Sequence, residues 1–167
     1  NKPEDQRYHS GLQPRQSAVD IIRHVEDGVE LARKHRLPLL VVDFIRTHHG
    51  TTVTGYFWGR HLSLKGTPDA KGQFTYPGPA PTSKEQVVLM LCDSVEAASR
   101  TLKSNTPEAY SELVEGIVAQ KVADGQLEDA DISIKEMNLV KDTLKSYLAQ
   151  LFHERVPYPK RKVRTVN

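Results

Sequence analysis

The 167 residues, 38% hydrophobic and 26% charged, suit one globular domain with its own core. Lys and Arg number 23 against 21 Asp and Glu, so a formal charge of +2 demands no polyanionic partner and no specific nucleic-acid binding is expected. The longest apolar runs, at residues 37–42 and 87–91, fall far short of the roughly 20 residues that cross a bilayer, and one cysteine, Cys92, excludes an internal disulfide and fits a reducing compartment.

In chain order, residues 1–16 are polar and broken by Pro3, Gly11 and Pro14, which reads as a loop leading into the first helix. The chain opens on Asn1 with no charged-then-apolar leader, as an excerpt of a longer sequence would. Ser17 is the expected N-cap of a helix whose apolar face is Ala18, Ile21, Ile22, Val25, Val29 and Ala32, ending near His35. Pro38 is expected at the first position of a second helix, with Leu40, Val41, Phe44, Ile45 and His48 inward and Gly50 as its stop. Residues 50–81 are rich in Gly, Pro and aromatic side chains and read as one long loop, with a short helix around residues 52–62 and an extended run over residues 74–81.

Thr82 and Glu85 have capping-box spacing ahead of the stripe Val87, Val88, Leu91, Val95, Ala98 and Leu102, where Cys92 is expected as a small buried residue. Thr106 and Pro107 open a helix that turns Leu113, Ile117 and Val118 inward. Asp124, Gly125 and Gln126 turn the chain, and Ser133 with Glu136 caps a last helix through Leu139, Val140, Leu144, Leu148 and Leu151. Residues 155–167 form a basic, proline-broken tail. No stretch reads as a strand, so the class is all-α.

Four side chains stand out chemically. His24 lies at the edge of the first apolar stripe, where a packed histidine and a ligand are both open readings. His48 and His49 sit together at a helix end beside Gly50; dipole compensation there accounts for one histidine better than for two. Asp93 lies in the most hydrophobic helix, where an unpaired buried carboxylate would cost several kcal/mol, so it requires a partner. Arg100 stands four residues after Glu96, which suits a helix salt bridge, while its planar fork would equally suit a phosphate. Imidazole and carboxylate donors without thiolates favour a catalytic Fe, Mn, Zn or Ni site over a structural zinc site.

These residues lie in segments that together resemble a known family: Ile22-Arg23-His24-Val25, Phe44-Ile45-Arg46-Thr47-His48-His49-Gly50-Thr51-Thr52, Tyr76-Pro77-Gly78-Pro79, Asp93-Ser94-Val95-Glu96-Ala97-Ala98-Ser99-Arg100 and Asp124-Gly125-Gln126-Leu127. In this order they resemble the cytosolic HD hydrolase domain of bacterial seven-transmembrane HD proteins, which include phosphodiesterases of the PgpH type. The resemblance implies a helical HD-type bundle over residues 1–167. It implies two divalent transition-metal ions, Fe or Mn, and cleavage of cyclic di-AMP to the linear dinucleotide. His24, His48 and His49 would hold one ion and Asp93 the other, with Arg100 and Tyr76 as candidate substrate contacts. The longer protein would sit in the bacterial inner membrane through upstream segments, with this domain cytoplasmic.

One departure bears on activity: no histidine here is followed by aspartate. By the resemblance, the His-Asp dyad and a further histidine precede residue 1, so this stretch alone is expected to bind metal weakly or not at all and to be inactive. A non-catalytic helical module that binds a nucleotide or a partner, and another HD-type nucleotide phosphohydrolase, are the alternatives.

Overall fold

Proline decides where the first helix begins. In the computed structural model, which describes residue 9 and residues 11–153, helix α1 runs Pro14–Lys34 with Gln13 as N-cap and Pro14 in its first turn. A proline there loses no hydrogen bond, because the first N–H groups of a helix have no intrahelical acceptor. Ser17 is therefore not the cap. It lies one turn inside, fully buried, its N–H donating to the Gln13 carbonyl. Ala18, Val25 and Ala32 form the most buried line of α1, and the helix ends at His35 as expected.

Helix α2 covers Leu39–Thr47, with Pro38 as its N-cap rather than its first helical residue. Its expected inner face needs correction: Leu40 and Val41 are exposed, while Val42 and Thr47 are buried and Phe44 and Ile45 half-buried. The turn toward Val42 follows from how α2 meets α1. A Cβ added at Gly28 would lie 3.0 Å from Ile45 Cγ2, so Ile45 packs directly over the bare glycine backbone.

Residues 50–81 are more ordered than a single long loop. Helix α3 spans Gly55–Ser63 and a 3-10 helix spans Pro68–Phe74. The flanking chain is clamped by Thr54 N–H to the Phe74 carbonyl (2.7 Å) and Tyr76 N–H to the Thr52 carbonyl (2.9 Å). Phe57 and Phe74 join Ala18 in a small core flanked by Ile21, Val53, Trp58 and Ala70. Most aromatics of this segment are thus structural, whereas Tyr56 is exposed.

Helix α4, Lys84–Ser99, has its capping box one residue later than expected, from Ser83 and Gln86. Gln86 Oε1 also accepts from Thr82 N–H at 2.8 Å, which draws the glutamine inward and leaves Glu85 exposed. Cys92 is exposed, contrary to the expectation of burial: the inward line is Val87, Leu91 and Val95, and Cys92 falls off it. Helix α5, Pro107–Ala123, is capped by Thr106, and α6, Ile134–His153, by the Ser133–Glu136 box. Val87, Leu91 and Val95 of α4, Tyr110, Val114 and Val118 of α5, and Leu144 and Leu148 of α6 form the larger core. Leu139 points outward.

No strand occurs among the described residues, only isolated bridges Val53 to Thr75 and Ser83 to Asp131. The all-α expectation holds. The basic run from Lys160 to Arg164 lies outside the described residues.

Candidate metal centre

The site forms where α1, the end of α2 and α4 meet. One ring nitrogen from each of His24, His48 and His49 lies within 4.8 Å of the others. Their placement follows from the packing just described: Ile45 seated on Gly28 brings the His24 and His48 turns face to face, with Nε2 atoms 3.1 Å apart. His49 follows at the helix end, where Gly50 at φ 55° turns the chain. That tight turn admits no side chain, since a Cβ at Gly50 would collide with the Gln126 carboxamide and the Met90 methyl.

The tautomers of two rings can be deduced. His24 Nδ1 meets the Ile21 carbonyl, and His48 Nδ1 meets the Ile45 carbonyl at 2.7 Å. A carbonyl only accepts, so each Nδ1 carries the proton and, in the neutral ring, each Nε2 presents a lone pair. Two lone pairs facing each other at 3.1 Å repel unless a proton or a cation stands between them. Backbone carbonyls that orient imidazoles in this way are the usual outer partners of metal-binding histidines.

His49 belongs to the same group but is held differently. Its Nδ1 lies 3.5 Å from Asp93 Oδ2, and its ring stacks on Tyr76 with centroids 4.2 Å apart and planes 25° apart. Burial, then the neighbouring His48 and His24, then Lys121 push its pKa from 6.5 down to about 3. It is therefore neutral and able to act as a ligand. Asp93 is only half-buried, so water relieves the cost that would demand a partner; its Oδ2 lies 3.5 Å from His49 Nδ1, beside the triad rather than within it.

Tyr76 is brought to the site, but its ring is buried beneath His49 instead of standing free for a base. Burial and then Asp93 raise its phenol to about 12, so it remains a neutral hydroxyl. Arg100 grips Glu96 through two nitrogens, at 2.9 and 2.7 Å, and is exposed as the C-cap residue of α4. The helix salt bridge is the arrangement observed.

Two residues of the site escape sequence reasoning. Gln126, buried to 2% exposure, accepts from Thr51 N–H (2.9 Å) and donates to Thr51 Oγ1 (2.9 Å), tying the α5–α6 turn to the segment just after His49. Lys121, half-buried at the end of α5, is near enough that its charge is felt at His49 and Asp93. A glutamine in a turn and a lysine near a helix end are ordinary sequence features, and only the 75-residue loop closure from Thr51 to Gln126 reveals their place.

Three converging imidazoles, two of them oriented by backbone carbonyls, with a carboxylate alongside, could hold a cation in an all-helical frame. The HD domain family matches residues 3–98, and the chain belongs to that family. HD domains are metal-dependent hydrolase domains, and the His24, His48 and His49 cluster could hold such an ion. The chain is 38% identical over 151 residues to "Cyclic-di-AMP phosphodiesterase PgpH" of Bacillus subtilis, covering 90% of this chain and 21% of that protein. It is 36% identical over 152 residues to the protein of the same name from Listeria monocytogenes, with 90% and 21% covered. The chain thus spans about a fifth of the length of the curated relatives it matches. Among solved structures, the L. monocytogenes PgpH HD domain in complex with cyclic-di-AMP superimposes with a TM-score of 0.81 at 34% identity, covering 90% of this chain and 70% of that one.

Proposed function

We propose that this chain is part of a metal-dependent phosphodiesterase domain that, in a longer protein, hydrolyses one phosphodiester bond of cyclic di-AMP to give the linear dinucleotide. The observation that carries this reading is the convergence of His24, His48 and His49 in a chain 34% identical to an HD domain crystallised with cyclic di-AMP. His24 and His48 offer Nε2 toward a shared point and are fixed there by backbone carbonyls, so little reorganisation accompanies binding of an ion. His49 completes that set. Asp93, beside His49, supplies an anionic oxygen for a second ion, and Fe or Mn suits these nitrogen and oxygen donors. When bound, such ions supply a nucleophilic water at neutral pH and neutralise charge on the phosphate. The buried Tyr76 ring holds His49 in place from below.

Among the described residues one histidine triad is complete and a second metal site is not, so we expect this chain alone to hydrolyse little cyclic di-AMP. The longer protein is expected to be active and attached to the membrane by other segments. Among the described residues no helix is long and apolar enough to cross a bilayer. The test is chromatography of cyclic di-AMP incubated with the longer protein and Mn²⁺ or Fe²⁺. Linear dinucleotide should appear, and His48→Ala should lower the rate by at least about 100-fold with the circular dichroism spectrum unchanged. Full turnover by His48→Ala would remove His48 from the site, and no turnover by the unaltered protein would overturn the reading.

A further inference from the structure

Helix α5 turns Tyr110, Val114 and Val118 into the larger core, and the same face continues to position 121. An apolar residue would satisfy that pattern, yet Lys121 occupies it, half-buried, at the point where α5 reaches the histidine cluster. Its side chain makes no hydrogen bond or ion pair among the described residues. This distinguishes it from Lys141 and Lys145, which both pair with Glu115, and from Lys84, which pairs with Glu136. Burial lowers its pKa, while Asp124 and then Asp93 oppose that. An ammonium placed in a core stripe without a direct partner is costly, and here it stands near enough to His49 and Asp93 of the site for its charge to be felt at both.

The location is held firmly. The Gln126 N–H donates to the Lys121 carbonyl, and the Gln126 side chain is bonded to Thr51, two residues after His49. The base of Lys121 is therefore tied to the same backbone that carries His48 and His49. Residue 121 also lies beyond residues 3–98, which match the HD domain family.

We propose that Lys121 is an anion-binding residue of this site, its ammonium contacting a non-bridging phosphate oxygen of a ligand held beside the histidine triad. The inference rests on the phosphodiesterase reading for the identity of the natural ligand, but inorganic phosphate tests the contact independently. A mobile ammonium on an anchored stem suits this task, since a phosphate oxygen would supply the direct partner the side chain lacks.

The experiment compares the longer protein with its Lys121→Met and Lys121→Arg forms in the presence of Mn²⁺, by calorimetric titration with inorganic phosphate and with cyclic di-AMP. Lys121→Met should weaken both ligands by about 10-fold, Lys121→Arg should recover most of that loss, and Mn²⁺ affinity should stay within about 2-fold in both. If Lys121→Met does not fold, Lys121→Gln carries the same comparison. Unchanged phosphate affinity in the neutral variant, no phosphate binding by the unaltered longer protein, or a parallel loss of Mn²⁺ affinity each overturns the proposal. Lysine-dependent binding of phosphate without binding of cyclic di-AMP would instead overturn the substrate reading and leave the role of Lys121 standing.

Discussion

His49 concentrates three influences in one side chain: Asp93 at one nitrogen, the Tyr76 ring against its face, and two other histidines beside it. Its pKa near 3 makes folding depend on pH. Between about pH 6.5 and 3 the unfolded chain protonates this imidazole and the folded chain does not. Its contribution is therefore full above pH 6.5 and is lost progressively as the pH falls toward 3. Urea unfolding at pH 7 and pH 4.5 should show a loss of a few kcal/mol at the lower pH, and His49→Gln should flatten that dependence; an unchanged slope in the variant would assign it to other groups. Of the four residues singled out from sequence, His24, His48 and His49 come together and Asp93 lies beside His49; each was legible as a polar group in an apolar or terminal context. Tyr76 was legible only as an aromatic in a Gly/Pro-rich segment, and its burial under His49 depends on the Tyr76–Thr52 backbone pairing. Arg100 had two readings from sequence, and the salt bridge, with Nε and Nη2 both donating to Glu96 Oε1, is the one the geometry shows.

At the scale of elements, periodicity located α1, α2, α4, α5 and α6, whereas α3 was expected only as a short helix around residues 52–62 and the 3-10 helix Pro68–Phe74 was not expected; local competition set the details. Pro14 took the start of α1 from Ser17, and Gln86, which can reach two backbone N–H groups, took the capping box from Thr82 and Glu85. In α2 the pattern alone could not tell which apolar side faced inward, since Leu39, Leu40, Val41 and Val42 are consecutive; contact with α1 selected Val42. The join between the α1–α3 half and the α4–α6 half was invisible for the same reason, being a tertiary contact made by Gln126. Gln126→Ala would remove the acceptor of the Thr51 N–H, a part-buried hydrogen bond whose loss costs about 0.5–1.5 kcal/mol. Hydrogen exchange should show faster opening at residues 49–52, together with weaker Mn²⁺ binding. Protection equal to that of the unaltered chain would mean the turn is held without the glutamine.

At the scale of the whole molecule, binding an ion that bridges α1 and α2 stabilises only the folded state, so ion affinity and melting temperature are linked. Addition of Mn²⁺ should raise the melting temperature, chelation should reverse the rise, and His24→Ala should abolish it. An equal rise in the variant would place the ion elsewhere. The linkage holds because the two helices cannot adjust independently. A methyl group at position 28 would lie 3.0 Å from Ile45 Cγ2, so either that side chain gives by a few tenths of an ångström or α1 and α2 part, and parting would widen the 3.1 Å gap between His24 and His48. The aperture offered to an ion is thus gauged one helical turn away from the ligands, by a residue whose whole contribution is the absence of a side chain.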